Sequence, residues 1–522
     1  MFRRPALVLI AFFFLWLVLL LSLVRPPYFL FLTDPGTFWH TVVGEHITST
    51  GRLPYTDTFS FTFFGRPWIA QQWLAECVMA WLYGVGRLDG LVLAAAVLLA
   101  GLYTWLGGRF LDHGLHWLPT AVLVFLTIVA SWYHFHARPH LASIVLLAWT
   151  FAQLIDYEAG RVASRSLWWL VPVFALWTNL HGGMLGGTLT LGLVVVGWTG
   201  YRILGWPAPI ASRRNWLFVV SLVLLCALTA LLNPYGTRLL HVWFYLSGSN
   251  LLPEYISEHK PLDPTDRGDR FVLVLAAIYV FQLLSTWPHR PRVVWLVPLV
   301  WLYFASQRIR HGPLFSVTAS LAMADMLPFT LWARWLKDRG SFFFTPTGPS
   351  PQPPPPTWLG VALLVLGGGL ALQAFSCPVP LLGAGWAELP AIWWPTDHLD
   401  DLQHYVASER LAGRQPRIFN DMLFGGYLIR FVPELPVFID DRCELYGDDF
   451  LRQFLEAEAS DPAQAGRWVE QYGIGLALLP QASGYNRYFD SAPGWERHQA
   501  RPYGPILYRR RAMSAEGHRR DE

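Results

Sequence analysis

Residues 6–68 read ALVLIAFFFLWLVLLLSLVRPPYFLFLTDPGTFWHTVVGEHITSTGRLPYTDTFSFTFFGRPW: an apolar run, then a polar segment carrying two acids, Asp34 and Asp57. The run, Ala6 to Val24, is long enough to cross a bilayer as a helix. It follows Met-Phe-Arg-Arg, but it is too long for a signal-peptide core. The next residues, Arg25-Pro26-Pro27-Tyr28, hold no small-residue cleavage site, so a retained anchor is expected. Both acids then stand at a membrane surface, where ionisable groups carry function more often than they merely fill space.

Working outward, further apolar stretches fall at 88–106, 117–134, 140–156, 167–179, 183–203, 216–232, 271–286, 292–305, 313–330 and 357–376. With the first they predict a multi-pass α-helical membrane protein of about 11 transmembrane helices. Composition agrees. Of 522 residues 53% are hydrophobic and only 14% charged, and mean hydropathy is +0.33, too apolar for a soluble chain of this size. A net charge of +3, with its arginines dispersed among short loops, gives no footing to a nucleic-acid partner.

Basic residues orient the spans. With Arg3 and Arg4 cytoplasmic, alternation puts Arg109, Arg161, Arg165, Arg202, Arg213, Arg214, Arg290, Arg292, Arg334, Lys337 and Arg339 on the same side. Gln71 to Gly86 must then be an interfacial helix, a reading that Glu76 in its middle favours. The opposite, extracytoplasmic side receives the loop 25–87 with Asp34 and Asp57, the segment His134-Phe-His-Ala-Arg-Pro-His140, the turn Asn179-Leu-His181-Gly-Gly, the long loop Asn233 to Arg270, and Ser306-Gln-Arg308-Ile-Arg310-His311. The polar chemistry gathers on one face.

Residues 1–376 therefore read as a polytopic membrane domain. Phe342 to Thr357, FFFTPTGPSPQPPPPT, is an extended linker, one more span follows, and 377–522 reads as a soluble extracytoplasmic α/β domain. Within it, Arg417 to Asn420, Pro436 to Asp440 and Gly475 to Leu479 read as strands, and Asp449 to Ala459 and Ala463 to Tyr472 as helices. Of the four cysteines, Cys77 and Cys226 fall in apolar helices. Cys377 and Cys443 fall outside the membrane, where an oxidising compartment permits a disulfide.

Each polar candidate has two readings. Asp34 before Pro35 is a helix N-cap or a carboxylate that deprotonates an acceptor or ligates a divalent cation. Asp57 opens a turn before the alternating segment Thr58 to Phe64, or joins the chemistry. Glu45 and His46 decorate a helix surface. His134, His136, Arg138 and His140 form a polar loop or a metal site, though no carboxylate joins them locally. Asn179 and His181 reverse two helices and line a cavity. Arg308 and Arg310, with His311, anchor in headgroups or clasp a phosphate bidentately.

The opening loop, DPGTFWHTVVGEHITSTGRLPYTDTFSFTFFGRPW with QQWLAE after it, resembles the first outer loop of bacterial GT-C superfamily glycosyltransferases, the mannosyltransferase and aminoarabinose-transferase-like branch. The tail segment IFNDMLFGGYLIRFVPELPVFIDDRCELYG is similar to the outer domain on many bacterial membrane proteins of this kind. The resemblance implies a polyprenyl-phosphate sugar donor, a catalytic base at Asp34 and a phosphate-holding arginine at Arg308 or Arg310. It fixes no cofactor and leaves room for a divalent metal. One departure stands out: relatives often carry an acidic pair in the second outer loop, and here that place reads Tyr133-His-Phe-His-Ala-Arg-Pro-His140. The expected function is transfer of a sugar to an extracytoplasmic lipid, glycan or protein at the inner membrane of a bacterium. The alternatives are a non-catalytic membrane scaffold and a transporter or flippase of lipid-linked glycans.

Overall fold

The structure, a computed structural model, describes residues 6–24, 30–249, 251–344 and 387–511. The last expected span, most of the proline-rich linker and Cys377 with its expected disulfide lie outside them. The chain forms two compact units that do not follow chain order: Met1–Phe31, Leu82–Phe244 and Leu252–Ala387 in the first, Leu32–Trp81, Tyr245–Leu251 and Glu388–Glu522 in the second.

The first unit is helical. It contains α1 (Ala6–Ser22), most of α3 (Trp73–Asp112), α4 (Trp117–Val129), α5 (His140–Glu158), α6 (Leu170–Leu180), α7 (Met184–Ile203) and α8 (Arg213–Leu228). After α9 (Thr237–Gly248) and the short α10 (Leu252–Tyr255) come α11 (Arg267–Leu284), α12 (Val293–Gln307), α13 (Gly312–Met326) and α14 (Leu331–Asp338). Among the described residues four helices are long and apolar enough to cross a membrane, or five if α13 and α14, bent by 54°, form one span. The helix α3 is broken at Gly86 (φ −137°) and Arg87 (φ 52°), between the expected interfacial helix and the expected span. A non-glycine residue at positive φ is held there only by its surroundings.

One end of this bundle is locked by ion pairs. Arg109 makes a bidentate bond to Asp156 at 2.9 and 2.6 Å, and Arg161 reaches both Asp156 and Asp325, each at 2.7 Å. Arg292 and the Trp295 indole also bond Asp325, at 2.5 and 2.8 Å. The Glu158 carboxylate accepts from Val293 N and Val294 N and so caps α12. The ends of α3, α5, α12 and α13 are thereby fixed, and the opposite ends of these helices carry the polar loops described below.

In the second unit the opening loop is folded with the tail. Its helix α2 (Gly36–Thr50) begins where the Asp34 carboxylate accepts from Gly36 N at 2.8 Å. It ends at Gly51, whose φ of 66° suits a left-handed C-cap. The tail supplies a four-stranded sheet in the order β1-β2-β4-β3, from β1 (Ile418–Asn420), β2 (Leu476–Leu479), β3 (Trp495–His498) and β4 (Ile506–Arg510). The pair β1 and β2 is parallel, the others antiparallel. Helices Leu399–Leu411, Met422–Phe431, Cys443–Ser460 and Gln464–Tyr472 surround it.

Pro436 to Asp440 is not a sheet strand, contrary to the sequence expectation. The buried amide of Asn420 takes the place of a neighbouring strand: its Nδ2 donates to Ile439 O at 2.7 Å and its Oδ1 accepts from Phe438 N at 2.8 Å. On the other side Val437 makes a lone parallel bridge to Ser60 of the opening loop. The run is apolar because it is core; its backbone groups are satisfied by a side chain and a loop rather than by a ladder.

Candidate functional site

The polar loops of the first unit converge. Residues 131–139 leave α4 through a short turn, and Phe31 pins them: Phe31 N donates to Phe135 O at 3.0 Å and Ala137 N to Phe31 O at 2.9 Å. Phe31 holds φ at 77° to do so. Tyr133 donates its hydroxyl to Ile309 O, and Ile309 N donates to Lys260 O at 2.8 Å. Three loops are thus laced together through backbone groups and the Tyr133 hydroxyl.

The histidines cluster there, with their rings tilted or edge-on to one another. His140 donates from Nε2 to the His134 carbonyl at 2.7 Å, with ring centroids 4.3 Å apart, and His136 lies 5.9 Å from His134 and 6.1 Å from His140. His181, 6.4 Å from His140, accepts at Nδ1 from Gly183 N at 2.9 Å and bonds Ser143 Oγ there at 2.8 Å. Ser143 Oγ itself accepts from the Trp177 indole at 2.7 Å. An Nδ1 that accepts a backbone N–H carries no proton, so His181 is the Nε2–H tautomer. Burial, with Arg310 and Arg138 nearby, holds its pKa down to about 3.

Into this group the long loop delivers a carboxylate that the sequence reading did not single out, Glu258. It lies 3.5 Å from Arg310, 3.7 Å from His134 and 3.6 Å from His259. Burial pushes its carboxyl up, but Arg310, His134, Arg138 and His259 together outweigh this and hold it well below the usual carboxylate range. Burial acts the opposite way on the imidazoles. His134 is held well below its ordinary value, mainly by burial and His140, and His259 is held at about 3, mainly by burial and Arg310. Near neutral pH the centre therefore holds an anionic Glu258 and neutral His134, His181 and His259.

The arginines complete it. Arg310 bonds His259 Nε2, and Arg308 approaches His259 Nδ1 at 3.4 Å. Arg138 joins through its charge on Glu258. His311 packs its ring 6.0 Å from Trp301 and 6.0 Å from Phe304, at the edge of the group. Asn179 is turned to the backbone, donating to Ala175 O at 2.8 Å and Leu232 O at 2.9 Å, and so ties α6 to the chain after α8. Arg138 and Arg310 act on the Glu258 carboxylate, and Arg308 and Arg310 meet at the His259 ring. Among the described residues no group of three or more His, Cys, Asp or Glu side chains is arranged to hold a metal ion.

The two acids of the opening loop belong to the second unit. Asp34 caps α2, as above. Asp57 is fully buried: it accepts from Phe59 N and Ser60 N at 3.1 Å each and from Ser60 Oγ at 2.7 Å, and it pairs with Arg442 at 2.8 Å. The turn expected at Asp57 is the one these bonds hold.

No protein-family model matches the sequence, and no curated protein does. Solved structures do match. The Archaeoglobus fulgidus oligosaccharyltransferase in its apo form is 12% identical over 91% of this chain and 69% of its own, with a TM-score of 0.52. The same enzyme tethered to an acceptor peptide containing the NVT sequon gives 12%, 90%, 69% and 0.53. The archaeal oligosaccharyltransferase AglB from Archaeoglobus fulgidus, in complex with an inhibitory peptide and a dolichol-phosphate, gives 10%, 90%, 69% and 0.50. The chain shares the fold of these oligosaccharyltransferase structures.

Proposed function

We propose that this protein is a membrane glycosyltransferase that moves a sugar from a polyprenyl-phosphate donor to an extracytoplasmic acceptor. The observation that carries the reading is the convergence of Arg138, Arg308 and Arg310 on the loops that hold Glu258 and His259, in a chain that shares the fold of solved oligosaccharyltransferases. A lipid-phosphate diester bears one negative charge. When the bond between the anomeric carbon and the phosphate oxygen breaks, the electron pair stays on the phosphate and a second negative charge develops. Guanidiniums placed at that phosphate favour the departing group over the intact donor, which is the condition for lowering the barrier. The resemblance to AglB, whose complex holds a dolichol-phosphate, supports the same ligand class.

In this mechanism Asp34 takes the proton of an acceptor hydroxyl as its oxygen attacks the anomeric carbon from the face opposite the phosphate, inverting the configuration. Arg308 and Arg310 hold the leaving phosphate, helped by Arg138. His134, His136, His140 and His181 wall the site, and Glu258 anchors the arginines. Asp57 serves by holding the loop that carries Asp34. The site faces outward under the orientation given by the basic loops, with about eleven spans below it. The test is Asp34→Asn: sugar transfer to cell-surface acceptors should fall by about 100-fold or more at unchanged protein abundance. Unchanged transfer would remove the proposal.

A further inference from the structure

The tail has no part in the mechanism above, yet it grips the helix that Asp34 opens. Two close approaches fix α2. A Cβ on Gly44 would lie 1.9 Å from Glu76 O and 2.8 Å from Ala80 Cβ, so the helix lies directly on the start of α3. A Cβ on Gly426, in the tail helix Met422–Phe431, would lie 2.1 Å from Pro35 O, the residue next to Asp34, and 3.2 Å from Trp39. Around that seat the Phe38 ring meets Trp394, Tyr427 and Phe431 at 4.8, 6.1 and 5.7 Å. The Trp39 indole donates to Asp441 at 2.8 Å, and Arg430 pairs with Glu45 at 2.6 Å. The Gly425-Gly426 pair lies in the tail segment with the second sequence resemblance, and Pro35, Phe38 and Trp39 lie in the segment with the first.

We infer that the tail is the positioning element of the Asp34 carboxylate: Gly426 lets the helix Met422–Phe431 seat against the first turn of α2 and so fixes where that carboxylate stands. This rests on the function proposed for Asp34. A side chain at 426 cannot be accommodated without moving either Pro35 or the tail helix, because the nearest atom is backbone. A shift of about 1 Å at a reacting group costs about 100-fold in rate, whereas the donor lipid, which is held by Arg308 and Arg310, should bind as before.

The experiment compares Asp34→Asn, Gly426→Ala and Gly192→Ala, the last being a control in α7 where an added Cβ meets nothing within 4 Å. Turnover is read as labelled sugar transferred in membranes from a total extract of lipid-linked sugars, per unit of protein. Donor-site affinity is read as the Kd of the purified protein for undecaprenyl phosphate. Gly426→Ala should lower turnover by about 100-fold with Kd within about twofold, and Gly192→Ala should change neither. If Asp34→Asn abolishes transfer while Gly426→Ala keeps it, the positioning role is wrong and the function stands. If Asp34→Asn has no effect, the function beneath it fails. Should Gly426→Ala not accumulate, the charge reversal Arg430→Glu replaces it. A loss of turnover restored by adding Glu45→Arg supports the role, and undiminished turnover in Arg430→Glu overturns it.

Discussion

Glu258 stands beside Arg310, and its charge is set by Arg310, His134, Arg138 and His259 rather than by its exposure. Replacing it by Gln keeps the shape and removes the counter-charge, so the Kd for undecaprenyl phosphate should fall by about tenfold, while turnover drops because the arginines lose their anchor and the product leaves slowly. A weaker Kd would mean that Glu258 organises the arginines more than it neutralises them. The neighbouring imidazoles give a second prediction at this scale. His181 and His259 are held at about 3 in the fold, against about 6.5 in an unfolded chain. The unfolded state therefore takes up protons first as pH falls. Their stabilising effect is whole above about pH 6.5 and is lost toward about pH 3, at up to about 1.4 kcal/mol per pH unit for each ring. Thermal unfolding at pH 7 and pH 5 should show this slope, and His259→Asn should flatten it. Glu258, depressed below its ordinary value, adds a further loss only below about pH 4.3.

Among the elements, the joint between opening loop and tail is the most charged part of the buried interior. The Arg442 side chain is fully enclosed between Asp57 at 2.8 Å and Asp440 at 2.6 Å, under the Trp68 ring at 4.8 Å, and Tyr446 donates to Asp440 at 2.9 Å. Removing one member of a buried ion set leaves the others uncompensated, at a cost of about 3–5 kcal/mol. Arg442→Met should therefore unfold this joint at markedly lower temperature, and Asp57→Asn should cost less, because its bonds to Phe59 N and Ser60 N survive in part. Equal effects would locate the stability in the turn instead. This pairing was not legible in the sequence. The local Pro-Tyr-Thr-Asp-Thr context of Asp57 suggested a turn or a share in the chemistry, but opposite charges 385 residues apart carry no sign of each other in one chain. The same limit hid Glu258: loops rich in His and Arg marked themselves, whereas nothing local told Glu258 from Glu254. The strand expected at Pro436 to Asp440 failed for another reason, since alternation and burial look alike whether a ladder or the Asn420 amide supplies the bonds.

At the scale of the whole molecule, helical periodicity and apolar length were enough to read the helical class, and two motif-like segments pointed toward the fold the chain shares with the solved oligosaccharyltransferases. The orientation remains a prediction. Single cysteines at Glu254 and Ser408, in a background with the native cysteines replaced by serine, should react with a membrane-impermeant maleimide on intact cells. Cysteines at Arg165 and Arg214 should react only after lysis. The reverse pattern would put the polar loops on the cytoplasmic side and end the case for a lipid-linked donor used outside.

The second unit is built from both ends of the chain, Leu32–Trp81 and Glu388–Glu522. A ribosome makes the first part early and the second last, roughly 300 residues later, which at about 5–20 residues per second means about 15–60 s between them. For that interval Phe38, Trp39 and Trp68 have been translated while every tail residue they pack against has not. Biogenesis of this protein thus includes a period in which the aromatic side chains of its opening loop lack the tail residues they pack against in the folded unit.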